Sequence, residues 1–242
     1  PRRDLAAVLG VPEERIDVLA EQVGGAFGAR GPAYPEQAVL LRLAERLGRP
    51  VAWRGTRLEA FMTDHHGRGT RLTGRLGLDA RGRFYEADLG AYVTPVGAHI
   101  NVHNPLQTLT GAYRIPRACA TFRLVHTHAA PVGPYRGAGR PDMAFLVERL
   151  VDEAARRTRR DRVKLRAANA VPARAFPWTT PVGVTYDSGD YGLLLSSACD
   201  AIGWADRRRR AAAARRRGLL HGMGLSLFVE ASRFPADVMP RR

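Results

Sequence analysis

Between residues 131 and 142 the chain reads Pro-Val-Gly-Pro-Tyr-Arg-Gly-Ala-Gly-Arg-Pro-Asp, with three glycines and two arginines packed between prolines just ahead of a helical pattern. Glycines let a backbone turn several N–H groups toward one ligand with no Cβ in the way, and a following helix N-terminus adds partial positive charge. Arg136 and Arg140 carry the fork geometry that grips a phosphate through two parallel hydrogen bonds. This spacing suits an anion cradle; a plain loop turn is the other reading. A second cluster, Gly24-Gly25-Ala26-Phe27-Gly28-Ala29-Arg30, lies between a strand-like run, Ile16 to Val23, and a helical pattern, Pro35 to Leu47. It lacks the Lys and Ser/Thr of a Walker loop and the spacing of the dinucleotide-binding fingerprint, so it reads as a second cradle or as a simple strand-turn-helix link.

Other chemistry is thin. His126 and His128 stand two apart, on one face of an expected strand, but no further ligand follows at metal spacing. Cys119 and Cys199 show no Cys-x-x-Cys pairing, so an iron–sulfur cluster would have to belong to another chain.

The elements that must position the two loops alternate in blocks. Pro35 to Leu47 predicts a helix, with Gly48 and Pro50 as stops. Val51 to Arg54, Leu72 to Leu78 and Phe84 to Tyr92 read as β-segments, parted by turns such as Asp79-Ala80-Arg81-Gly82. Phe145, Leu146, Leu150 and Ala154 fall at helical spacing within Asp142 to Arg160. Pro172, Pro177, Pro181 and Gly183 mark a turn-rich link, followed by a helix over Tyr191 to Ile202. Leu225, Leu227 and Val229 alternate as a strand would within Gly218 to Glu230. Strands and helices in blocks indicate an α+β fold.

The 242 residues carry 38 Lys and Arg against 23 Asp and Glu, a net charge of +15. Such a balance invites a nucleic-acid reading, but Lys164 is the only lysine and the arginine runs lie on alanine-rich helical stretches with no interleaved aromatics. Solvated helix faces account for them, and a basic face meeting an acidic partner subunit is the other possibility. No apolar run approaches the ~20 residues of a membrane span and no signal peptide opens the chain, which makes a cytoplasmic location the expectation.

The two glycine loops, with Trp53, Arg57-x-Glu59-x-Phe61, His66-Gly67-Arg68, Asp88-x-Gly90-Ala91-Tyr92, Tyr113-x-Ile115-Pro116, Leu165-Arg166-x-x-Asn169 and Thr180-Pro181-x-Gly183-x-x-Tyr186-Asp187-Ser188-Gly189-Asp190-Tyr191, run in the order found in one family. The chain resembles the molybdenum-binding large subunit of the xanthine dehydrogenase, aldehyde oxidase and aerobic carbon monoxide dehydrogenase family, in its carbon monoxide dehydrogenase-like form.

That resemblance implies a molybdopterin-binding domain of mixed sheets with packed helices. It implies a first molybdopterin-binding subdomain over 1–170, a link over 171–190 and the start of a second, truncated, over 191–242. Gly24, Gly25, Phe27 and Gly28 match the family's first cofactor loop; Arg136, Gly137 and Ala138 match the second, with Tyr135 as a wall of the substrate pocket. No residue of the chain is implied as a direct metal ligand. The cofactor implied is molybdenum-molybdopterin cytosine dinucleotide, with 2Fe-2S and FAD on partner subunits. These are an iron–sulfur small subunit and an FAD-binding medium subunit, in a dimer of heterotrimers. The implied reaction is oxidation of an aldehyde or N-heterocycle with water as oxygen source, in a bacterial, cytoplasmic oxidoreductase that binds no nucleic acid. Carbon monoxide dehydrogenases carry a cysteine where this chain has Gly137, and purine-oxidising members a glutamate where it has Arg30-Gly31, so both substrates are disfavoured. The family's later glycine-glutamine-glycine loop and its glutamate base are not among these residues, Glu230 matching a structural strand end. The chain alone is therefore expected to be inactive, and a truncated, non-catalytic remnant stays open beside a part of a working subunit.

Overall fold

The computed structural model describes the backbone of residues 1–95 and 102–230, and all side chains there except those of Ala91, Tyr92, Thr94 and Pro95. The side chains of Ala91 and Tyr92 in the Asp88-to-Tyr92 match, and the segment 231–242, lie outside that description. The described residues form two compact units that interleave along the chain: 1–70, 93–95, 102 and 123–139 make the first, and 71–92, 103–122 and 140–230 the second. Among the described residues no helix is long and apolar enough to cross a membrane.

The first unit carries α1 (Arg2–Leu9), α2 (Pro35–Leu47) and α3 (Arg57–Thr63) around long loops. Proline at the first position of α2 loses nothing, because that N–H has no intrahelical partner, and Gly48 closes the helix in the left-handed region at φ 62°. At the start of α3, Thr56 and Glu59 cap each other: the Glu59 amide donates to Thr56 Oγ1 at 3.2 Å and the Thr56 amide to Glu59 Oε2 at 2.6 Å. A small apolar cluster of Leu5, Ala6 and Ile16 packs with Leu9, Val11, Ala33 and Ala38.

The main core lies in the second unit. Four strands form one sheet: β1 (Arg71–Leu72) and β2 (Arg75–Leu78) flank β3 (Phe84–Pro95), which also pairs with β4 (Arg117–Val125). β2 runs antiparallel to β3, with Leu76 opposite Ala87, and a bulge follows at Gly77. Helices α4 (His103–Gln107), α5 (Arg140–Arg157) and α6 (Arg162–Asn169) belong to this unit, as do a hairpin of β5 (Trp178–Thr179) and β6 (Thr185–Tyr186), α7 (Tyr191–Ala201) and α8 (Trp204–Arg216). α5 buries Met143, Leu146, Val147, Val151, Ala154 and Ala155, one stripe at helical spacing, among Leu89, Leu109, Tyr113 and Ile115. Cutting Met143 back to alanine in such a site costs about 2–5 kcal/mol.

A buried polar cluster ties the second unit together. Fully buried Arg166 donates from Nε to Glu148 Oε2 at 2.9 Å and from Nη2 to Asp152 Oδ1 at 2.9 Å. The Tyr113 hydroxyl donates to the other oxygen of Glu148. Burial and the adjacent Glu148 carboxylate push the Tyr113 hydroxyl far above its ordinary pKa, so it stays a donor. Asn169 is equally saturated: its Oδ1 accepts from the Phe84 amide at 2.8 Å, and its Nδ2 donates to the carbonyls of Gly82 and Leu165 at 2.9 Å each.

The α+β class holds, and α2 and α7 fall within a residue of their expected bounds. Three expected strands do not form. Ile16 to Val23 has no ladder; Ile16 is buried, but Val18, Leu19 and Val23 are exposed, and alternation without a pairing partner does not hold a strand. Val51 to Arg54 is likewise irregular. In Gly218 to Glu230 the backbone is bonded by side chains instead of a neighbouring strand: the Leu227 amide donates to Glu148 Oε2 at 2.9 Å, and the Leu225 carbonyl accepts from Arg166 at 3.2 Å. Leu72 to Leu78 is split at Thr73-Gly74 into β1 and β2.

Candidate functional site

Both glycine loops lie in the first unit, and they touch. The Arg136 amide donates to the Phe27 carbonyl at 2.8 Å, and the Arg136 guanidinium carbon stands 4.9 Å from the centre of the Phe27 ring. In the first loop Gly25, Phe27 and Gly28 have φ of 104°, 50° and 100°; in the second Gly137, Ala138 and Gly139 have 89°, 43° and 93°. Positive φ at these positions is the conformation by which glycine-rich loops bring backbone close to a ligand. Space as well as torsion demands glycine at position 28, where a Cβ would sit 2.9 Å from the Pro134 carbonyl oxygen. Phe27 is 57% exposed and Tyr135 46%, so neither is a core aromatic. Core packing is the commoner fate of an aromatic residue beside a loop, but the structure leaves both rings at the surface of the cradle.

The segment from Asp64 to Arg68 clips the loops in place. The His66 amide donates to the Pro131 carbonyl at 3.1 Å and the Gly133 amide to the His66 carbonyl at 3.0 Å, a short parallel bridge. Arg68, itself at φ 66°, donates from Nη1 to the Tyr135 carbonyl at 2.8 Å and from Nη2 to the Arg136 carbonyl at 2.6 Å, and lies 5.3 Å from the centre of the Tyr135 ring. On the other side Arg30 forks onto Asp64, with Nη2 to Oδ2 at 3.0 Å and Nη1 to Oδ1 at 3.4 Å, and stacks on Tyr34. The Tyr34 hydroxyl donates to the Ala29 carbonyl at 2.9 Å, and burial raises its pKa despite the opposing His65 amide. His66-Gly67-Arg68 is one of the segments that carry the family resemblance, but its role as the clamp is not legible in the sequence. Two carbonyl acceptors on a distant loop leave no mark on the sequence around Arg68.

Two expectations fail here. Arg140 is not a phosphate clamp beside Arg136: it is buried in the second unit, with Nη2 donating to Gln107 Oε1 at 2.8 Å and Asn104 Oδ1 at 3.1 Å, and Nη1 to Glu230 Oε1 at 3.1 Å. A guanidinium with those acceptors is a structural anchor, and the same pairing gives Glu230 a structural partner. His126 and His128 lie past the end of β4 at Val125 and share no strand face. Among the described residues no three His, Cys, Asp or Glu side chains gather as a metal site.

Residues 1–170 match the sequence model of the molybdopterin cofactor-binding domain, and the chain belongs to that family. It is 31% identical over 240 residues to the carbon monoxide dehydrogenase large chain of Hydrogenophaga pseudoflava, covering 95% of this chain and 30% of that one. The nicotine 6-hydroxylase large subunit of Paenarthrobacter nicotinovorans is 30% identical, covering 94% of this chain and 29% of its own length. Among solved structures, quinoline 2-oxidoreductase from Pseudomonas putida 86 superposes with a TM-score of 0.82 at 30% identity, over 90% of this chain and 28% of that one. The chain thus spans about 30% of the length of these relatives.

The residues present suit the family's cofactor. The cradle is closed to a Cβ at Gly28, lined by left-handed backbone from two loops, and bordered by the Arg136 and Arg68 guanidinia, a donor set matched to an oxygen-rich anionic group.

Proposed function

We propose that the chain is part of the catalytic subunit of a molybdenum hydroxylase and that the joined glycine loops hold one side of its pterin-bound metal. The observation that carries this reading is the Arg136 amide bonded to the Phe27 carbonyl, which makes one cradle of two family loops. When bound, the cofactor supplies oxidative hydroxylation with oxygen drawn from water. Gly24, Gly25, Phe27 and Gly28 would present backbone to the bound group, and Arg136, Gly137 and Ala138 would hold it from the second loop, with the Arg136 guanidinium supplying positive charge. Tyr135 walls the substrate side, and Arg68 orients it by holding its carbonyl.

The finer reading is a cytosine dinucleotide form of the cofactor, with 2Fe-2S and FAD on partner subunits, in a cytoplasmic dimer of heterotrimers. Along the sequence, 1–170 and 191–242 would then belong to successive cofactor-binding subdomains joined by 171–190. The substrate class is an aldehyde or N-heterocycle. Gly137 in place of a copper-binding cysteine argues against carbon monoxide, and the names of the nicotine and quinoline enzymes among its relatives favour a heteroaromatic ring.

The test is metal and nucleotide analysis of the protein purified in its native assembly. Molybdenum near one equivalent, with cytidine monophosphate released on acid treatment, is expected. An assembly that is folded and complete but free of molybdenum would sink the reading.

A further inference from the structure

Arginines from three helices of the second unit converge on one cavity of about 320 Å³. Arg156 and Arg160 stand in and just after the last turn of α5, Arg162 opens α6, and Arg208 and Arg215 come from α8; the Trp204 indole completes the wall. Among the described residues, the Trp204 Nε1 is buried without a hydrogen-bond partner.

The charges do not balance. Arg208 meets Asp161 at 2.5 Å and Arg156 meets Glu153 at 2.7 Å, but Asp152, the other lining carboxylate, already serves buried Arg166. The hydrogen bonds of the remaining guanidinia go to backbone. Arg160 donates to the Ala80 carbonyl at 2.8 Å, Arg215 to the His221 carbonyl at 3.1 Å, and Arg162 to the Met223 carbonyl at 3.0 Å while 3.9 Å from Asp152. A carbonyl fixes a guanidinium in place without cancelling its charge. With Arg166 included, six guanidinia face four carboxylates, Asp152, Glu153, Asp161 and Glu148, leaving two positive charges in excess.

Arg156 and Arg208 keep 71% and 66% of their side chains exposed, as on a solvated helix face, but with Arg160, Arg162 and Arg215 they border one concavity. Next to it, Trp204 and Arg208 also line a shallower groove with Val163, Ala205 and Ala212. A doubly charged oxyanion would balance the excess, and an apolar substituent on it would lie in the groove. We infer that this cavity between α5, α6 and α8 binds a phosphate dianion, free or as the monoester of a small organic group.

The inference stands apart from the molybdenum reading and is tested on the 242-residue chain. The probes are inorganic phosphate and phenyl phosphate, titrated at low salt by calorimetry and by indole fluorescence, with phenol as the uncharged control. Saturable binding of both phosphates is expected. Tighter binding of phenyl phosphate identifies a monoester as the ligand, and equal binding identifies free phosphate. The paired substitution Arg160→Gln and Arg215→Gln is expected to weaken binding at least tenfold. Arg210→Gln with Arg216→Gln removes the same charge from α8 outside the cavity and is expected to change it less than twofold. Trp204→Phe should keep binding but abolish the fluorescence response. Absence of saturation, or equal weakening by the two paired variants, would overturn the assignment; circular dichroism and melting confirm that each variant is folded.

Discussion

The amide of Arg136 is bonded to the carbonyl of Phe27 while its guanidinium covers the Phe27 ring. Two loops far apart in sequence are thereby held at both backbone and side chain. A cation over an exposed ring contributes about 0.5–1 kcal/mol, so the pair orients the cradle more than it stabilises the fold. Phe27→Leu is expected to leave the melting temperature within a few degrees and to lower molybdenum occupancy of the assembly. Metal analysis beside a thermal melt reads both.

Gly28→Ala is expected to do more. Its Cβ would be driven to 2.9 Å from the Pro134 carbonyl at a φ of 100°, and a strained backbone of that kind costs about 1–3 kcal/mol. The loops should part, with loss of cofactor, while the core of the second unit keeps its protection in hydrogen exchange. Retained molybdenum in a folded Gly28→Ala assembly would refute a cradle closed at this position.

Arg68 tests the clamp. Arg68→Lys keeps the charge but has no planar fork to reach both carbonyls, so the lysine and alanine variants should behave alike. Each should lose about 1.5–3 kcal/mol of stability, the range for hydrogen bonds to a charged group, as measured by urea unfolding. Full retention by lysine would show that charge alone holds the loop.

Glu148→Leu leaves Arg166 buried against fewer negative partners, and breaking a buried pair on one side costs about 3–5 kcal/mol. The double variant Glu148→Leu with Arg166→Met should recover part of that loss. Failure of the second substitution to recover any stability would mean that the Tyr113 and Leu227 bonds to Glu148, not the ion pair, dominate.

Acid should weaken the α6 start. Burial alone would raise the Asp161 pKa, but the amides of Lys164 and Val163 and the Arg208 guanidinium outweigh it, so the carboxyl titrates below its ordinary value. A lowered folded pKa stabilises above the unfolded value, near 3.9, and that contribution disappears as pH falls through the folded one. Asp161→Ala is expected to cost about 1 kcal/mol at pH 7, the usual worth of an N-cap, and to flatten the stability profile below pH 4. Melting temperatures from pH 2.5 to 7 check both.

How much of this was legible in the sequence depended on whether a residue's role was local. α2 follows from Pro35 and Gly48 because proline and left-handed glycine act on their own turns. The glycine loops were visible as loops for the same reason. Strand character at 16–23 and 218–230 was misread because a strand is defined by its partner, and Leu225 and Leu227 found side chains instead. Arg140 and Arg136 look alike in sequence; only the surroundings separate a buried anchor bonded to Asn104 and Gln107 from a guanidinium lying on an exposed ring.

The bonding of Glu148 also sets a rule for lengths. Its two carboxylate oxygens serve Tyr113, Arg166 and the Leu227 amide from a single point on α5. One residue inserted between Arg140 and Glu148 would swing that carboxylate about 100° around the helix axis, since a turn takes about 3.6 residues. Three separate stretches of chain would be released at once. Helix α5 therefore works as a ruler, and among relatives with this carboxylate, insertions and deletions should be confined to the turns on either side of it.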